Sequence, residues 1–182
     1  MKALFLKLLT LVIFSLHSTV SWSQSDLQIT NKKINFGYRT ATDRRITNII
    51  IHSVFNNSGG EKYDIDLVIK QFFTYHVCSH YVIGRDGTIF RLTDESNVAF
   101  HAGKSKLPNG KSNINSSSIG IEILTSFDES PTENQMAALV QLVRDIKKRY
   151  LIEYVLRHSD IAPGRKTDPW NMDWDGFIKE VQ

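Results

Sequence analysis

An α/β fold, with helices on the faces of a sheet, is what this sequence predicts, and three observations carry it. Ile49-Ile50-Ile51, inside the segment from Ile46 to Phe55, is a continuous apolar stretch, the mark of a strand buried on both faces. Met136, Leu139, Val140, Val143, Ile146 and Tyr150 recur at helical spacing and form one apolar stripe. Strand-like and helix-like segments alternate along the chain, without internal repeats or low-complexity tracts.

Residues 1–23 stand apart from the fold. Lys2 and Lys7 make a basic start, Leu8 to Leu16 is apolar apart from Thr10 and Ser15, and Ser21-Trp22-Ser23 offers small residues for cleavage. That is the layout of a secretory signal peptide, with an apolar run too short to span a bilayer; a retained N-terminal anchor is the alternative. Residues 24–44 are polar, with scattered apolar positions (Leu27, Ile29, Ile34, Phe36), and read as an arm that packs loosely or covers a sheet edge. One domain is expected over residues 45–182.

Within that domain the isoleucine strand ends in a loop, Asn56-Asn57-Ser58-Gly59-Gly60. Asp64 can cap a helix whose apolar face is Ile65, Val68, Ile69, Phe72 and Tyr75 or His76. Cys78 to Gly84 and Thr88 to Leu92 are strand-like, and Arg85-Asp86-Gly87 between them carries a hairpin turn signal. Ile119, Ile121 and Ile123 alternate with Gly120, Glu122 and Leu124 in another strand. Ser130 with Glu133 reads as a capping box, with Pro131 at the first helical position, opening the long helix that runs to about Tyr150. A short strand, Tyr154 to Arg157, and a closing helix, Trp174 to Val181, complete the pattern.

Charge and cysteine content narrow the function classes. Without Lys2 and Lys7, the 22 basic side chains fall to 20 against 19 acidic ones. So near-neutral a balance gives no support for a nucleic-acid partner or a strongly charged membrane surface. Cys78 is the only cysteine, so no internal disulfide can form in the exported setting. No membrane insertion is expected after signal cleavage, and a monomer is the expected state.

The chemistry concentrates in His158 to Trp170, His-Ser-Asp-Ile-Ala-Pro-Gly-Arg-Lys-Thr-Asp-Pro-Trp. Its Pro-Gly turn can bring His158 and Asp168 to a common point, and an imidazole with a carboxylate suits zinc. His52 follows three isoleucines at or near a strand end, where sites are built. Alone it would read as a core histidine; beside His158 and Asp168 it reads as a third ligand. Three protein ligands leave a fourth position open, the catalytic type of Zn2+ site. Glu122, a carboxylate in an isoleucine-rich strand, is either salt-bridged (to Lys166 or an arginine) or a general base, and the two roles are compatible. Lys166 can stabilise a developing oxyanion. Adjacent Arg165 faces elsewhere, as a solvated or carboxylate-binding side chain.

Weaker candidates surround these. His76, Cys78 and His80 would share one face of an extended strand and form a rival metal site, although His76 is expected to end a helix and Cys78 to be buried. His80 is otherwise a substrate contact. His101 is a loop histidine that holds its loop or touches ligand. Asn113 and Asn115 can bond amides or sugars, or simply make turns.

Taken together, Ile-Ile-Ile-His52, Ser79-His80-Tyr81-Val82-Ile83 with Arg85-Asp86-Gly87-Thr88-Ile89, Ala99-Phe100-His101-Ala102-Gly103, Ser118-Ile119-Gly120-Ile121-Glu122 and the His158–Trp170 block resemble the type 2 N-acetylmuramoyl-L-alanine amidases. The resemblance runs from about Arg45 to Trp174. It implies a central mixed sheet flanked by helices, the fold of phage lysozyme amidases and peptidoglycan-recognition proteins. It also implies cleavage of the amide between the lactyl group of muramic acid and L-alanine, in peptidoglycan or muropeptides. By matching position, zinc would be held by His52, His158 and Asp168, Glu122 would be the catalytic carboxylate, and Lys166 the transition-state stabiliser. The aspartate ligand resembles the branch acting on anhydro-muropeptides in the cytoplasm; phage and animal members usually carry cysteine there. The signal peptide departs from that branch and favours a periplasmic or secreted protein. Phe100 stands where tryptophan is common. Some animal proteins of this fold bind peptidoglycan without cutting it, the competing expectation; loss of a ligand or of the glutamate marks that class, and none is missing here.

Overall fold

The computed structural model describes residues 27–182, so the expected signal peptide lies outside the described residues. Six strands form a mixed sheet: β1 (Ile29–Asn31), β3 (Asn48–Val54), β4 (Tyr81–Ile83), β5 (Ile89–Arg91), β7 (Ser118–Leu124) and β8 (Tyr154–Arg157). Their spatial order is β1-β5-β4-β7-β3-β8. The β4–β5 hairpin is antiparallel and the other four pairings are parallel. β2 (Tyr38–Arg39) and β6 (Val98–Ala99) pair antiparallel in a separate small sheet.

Side-chain parity divides the main sheet into two faces. Ile49, Ile51, Tyr81, Ile83, Ile119, Ile121 and Ile123 pack with α2 (Glu133–Arg149) and α4 (Trp174–Val181). On the opposite face, Val82 and Leu124 meet Val68 and Phe72 of α1 (Ile65–Tyr75), while Ile50 meets Ala102, Leu107, Ile114 and Ile161. β3 and β7 are thus covered on both sides, which is why their sequences are isoleucine-rich. His52 and Glu122 share the parity of Ile50 and Leu124, so they face the α1 side.

Local chemistry sets the element ends. The Asp64 carboxylate accepts from the Asp66 and Leu67 amides to start α1, which stops where His76 turns left-handed at φ 53°. Asp86 accepts from the Thr88 amide and hydroxyl, closing the β4–β5 hairpin. The start of α2 differs from expectation. Thr132, not Ser130, is the N-cap, and Gln135 completes the box, so Pro131 stands outside the helix. The cause is tertiary: Gln135 also donates to the carbonyls of Ile83 and Leu124, which fixes where the helix meets the sheet.

Within residues 24–44, β1 joins the sheet edge beside β5 and β2 pairs with β6. These strands are three and two residues long and mostly solvent-facing, too short to show an alternating pattern. Another unanticipated element is α3 (His158–Ile161), a single helical turn directly after β8. No helix among the described residues is long and apolar enough to cross a membrane.

Candidate metal centre

β3, β7 and β8 run parallel, so they end on the same edge of the sheet, where open α/β folds build sites. His52 lies near the end of β3, in register with Glu122 on β7. His158 opens α3 immediately beyond β8. The chain then turns back at Pro163-Gly164, with Gly164 at φ 75°, and Asp168 returns to accept the Ser159 amide at 3.0 Å through its backbone carbonyl. A helical turn followed by a Pro-Gly turn thus performs the convergence anticipated from the turn alone.

Three side-chain atoms meet there. His52 Nδ1 is 2.9 Å from His158 Nδ1, which is 3.0 Å from Asp168 Oδ2, and the third edge is 3.5 Å. A triangle with these edges admits a point about 2.0–2.2 Å from every corner, the span of zinc bonds to nitrogen and oxygen. All three residues are buried, and among the described residues no other trio of His, Cys, Asp or Glu gathers in this way. The donor set therefore fits a zinc ion. Burial pushes His52 down to about 4 despite the Asp168 carboxylate beside it. Burial would raise Asp168, but its contacts with His158 and His52 outweigh that and hold it well below the usual carboxylate range.

A cavity of about 210 Å³ opens over these atoms, with Glu122 and Lys166 in its wall and Tyr75, Phe100 and Trp170 around it. Glu122 is 8% exposed. Burial, then the charge of Asp168, push its carboxyl well above the ordinary range, opposed by the charge of Lys166. Lys166 is exposed and reaches the cavity from the 158–170 segment. Arg165 points elsewhere, donating to the carbonyls of Ala102 and Lys104.

The expected substrate contacts are placed differently. His80 is fully buried, its Nδ1 accepting from the Gly120 amide and its Nε2 lying 3.1 Å from the Asn97 carbonyl. With both nitrogens engaged by backbone, it links β4 to β7 and has none left for a substrate. His101 borders the cavity, but its nitrogens face His52 Nε2 at 3.0 Å and Ser118 Oγ at 3.1 Å. The Asn115 side-chain oxygen accepts from the amides of His101 and Ala102, so it clamps that loop. Asn113 is left-handed at φ 61°, a turn former before the 114–117 turn of 3-10 helix. The rival His76, Cys78, His80 cluster does not assemble: His76 is the exposed cap of α1, and Cys78 is buried with its thiol pushed up to about 12 by burial and by Glu122.

Two contributors escaped the sequence reading. The Ala102 carbonyl lies 3.2 Å from His158 Nε2, and Ser118 stands behind His101. A backbone carbonyl leaves no mark in residue types; Ser118 had one, being next but one to Gly120 in the Glu122 strand.

The N-acetylmuramoyl-L-alanine amidase family profile matches residues 42–171. The chain is 31% identical over 116 residues to 1,6-anhydro-N-acetylmuramyl-L-alanine amidase AmpD of Haemophilus influenzae, covering 62% of each chain. It is 33% identical over 158 residues to N-acetylmuramoyl-L-alanine amidase AmiD of Escherichia coli, covering 73% of this chain and 54% of that one. The chain thus spans little more than half to about three-fifths of these curated relatives. Among solved structures, a selenomethionine AmpD superposes with a TM-score of 0.69 at 27% identity, over 82% of this chain and 93% of the other. AmiD of E. coli, in complex with anhydro-N-acetylmuramic acid-L-Ala-D-γ-Glu-L-Lys, gives 0.65 at 28%, over 78% and 60%. AmpDh3 of Pseudomonas aeruginosa, in complex with anhydromuramic pentapeptide, gives 0.64 at 29%, over 81% and 65%. With the profile running through β3, β7, β8 and the segment carrying Asp168, this chain belongs to the N-acetylmuramoyl-L-alanine amidase family.

Proposed function

We propose that the chain is an exported zinc-dependent amidase that hydrolyses the bond between the lactyl group of muramic acid and L-alanine, in peptidoglycan or its fragments. The observation that carries this reading is the meeting of His52 Nδ1, His158 Nδ1 and Asp168 Oδ2 beneath a cavity whose wall includes Glu122. A zinc ion held by those three atoms would supply Lewis acidity, polarising an amide carbonyl and acidifying water. Glu122 takes the proton from the attacking water, and its raised proton affinity suits it to hold that proton. It then returns the proton to the departing L-alanine nitrogen. Lys166 places a cation beside the carbonyl oxygen as negative charge develops there.

The ligands in the AmiD and AmpDh3 structures support a muropeptide as the substrate class. A non-catalytic peptidoglycan-binding module is the competing reading, and the presence of Glu122 beside a full ligand set favours the enzyme. Export rests on the sequence of residues 1–23, and it would bring the enzyme to intact wall before recycled fragments. Metal analysis of the purified protein should find one zinc per chain, and mass spectrometry should place its N-terminus near Gln24. An active enzyme free of metal overturns the zinc reading, and a native protein that keeps residues 1–23 overturns cleavage of a signal peptide.

A further inference from the structure

The imidazole that offers Nδ1 from β3 must carry its hydrogen on Nε2, and a chain of bonds behind it sets that choice. The Ile114 carbonyl can only accept, and Ser118 Oγ lies 2.7 Å from it, so the hydroxyl hydrogen is spent there. Ser118 Oγ then serves as acceptor for His101 Nε2 at 3.1 Å, which places the His101 hydrogen on that nitrogen. In a neutral ring Nδ1 is left as the acceptor, and it takes the hydrogen of His52 Nε2 at 3.0 Å. His52 Nδ1 is therefore bare, on the side where His158 and Asp168 converge.

His101 is built into this position from three directions. Asn115 Oδ1 accepts the amides of His101 and Ala102 at 3.2 and 2.8 Å. Gly120 lies against the ring, and a Cβ there would come within 2.5 Å of its Cγ, so space requires glycine. Ser118 holds the far nitrogen. The same short segment serves the second imidazole, because the Ala102 carbonyl accepts from His158 Nε2 at 3.2 Å.

We propose that His101 is a positioning residue that fixes His52 as an Nδ1 metal donor, relaying the tautomer set by Ser118 and the Ile114 carbonyl. This rests on the reading that the cluster holds zinc. It assigns His101 to the metal site through His52, in place of substrate contact.

Histidine 15N NMR of the metal-free wild-type protein reads the tautomers without any activity measurement. His52 and His101 should both carry hydrogen on Nε2. Zinc affinity, measured by competition with a chelator, should fall about 10–100-fold in His101→Ala, the usual cost of losing such a support. His101→Asn, whose Oδ1 stands near the lost Nδ1, should recover most of that affinity. A His52 hydrogen on Nδ1 in the wild type, or equal zinc affinity in His101→Ala and wild type, would overturn the proposal; the wild-type spectrum decides even where the alanine variant fails to fold. A wild type that does not bind zinc overturns the metal reading and with it the donor role of His52, while the tautomers still decide whether the hydrogen of His52 is set through His101.

Discussion

A carboxylate between two fully buried isoleucines is costly to desolvate, and Glu122 is kept there with its proton affinity raised, facing a cavity. Glutamine at this position would preserve size and hydrogen bonding but could not accept a proton. Glu122→Gln should retain zinc while turnover falls about 10²–10⁴-fold; near-normal turnover with zinc bound would assign the base to another residue. Lys166→Ala should likewise leave metal content unchanged while slowing turnover, and loss of zinc would recast it as a support for its loop. At this scale the sequence points to His52, His158 and Asp168, which the fold brings together, and to Glu122 and Lys166, which line the cavity over them, because each is a reactive residue type in a local setting that hides or bends it. His80, His101 and Asn115 were drawn toward the substrate because sequence does not tell what a ring nitrogen or an amide oxygen faces. In the fold those atoms are engaged by backbone, by His52 and by Ser118.

Among the elements, long apolar strands and the α2 stripe could be read directly, since their patterns repeat over many residues. The helix start could not, because it depends on Gln135, whose amide donates to the Ile83 and Leu124 carbonyls and whose oxygen accepts the Thr132 amide. This side chain is fully buried and ties α2 to the ends of β4 and β7. Gln135→Leu keeps the bulk but strands those groups, so it should destabilise the fold by about 2 kcal/mol or more, read as a lower denaturant midpoint. A change under about 0.5 kcal/mol would mean that other donors satisfy the carbonyls. β1, β2 and β6 escaped notice for the opposite reason: they are too short for a pattern, and pairing partners alone define them.

For the molecule as a whole, the two-faced burial of β3 and β7 joins fold to function. One face is committed to α2 and α4, and the other carries His52 and Glu122 to the strand edge where His158 and Asp168 arrive from beyond β8. The α/β class followed from the alternation of elements, whereas the strand order did not, because β7 inserts between β3 and β4 through pairings distant in sequence. The proposed roles of these residues converge on amide hydrolysis at the muramic acid–L-alanine bond by a zinc site. Mass spectrometry of products from purified sacculi and from a soluble anhydro-muropeptide, with and without a chelator, reads both the bond cut and its need for metal. The expected products are stem peptides with a free L-alanine amino terminus, lost on chelation and restored by added zinc. Cleavage at a different bond, or hydrolysis unaffected by complete removal of the metal, would contradict it.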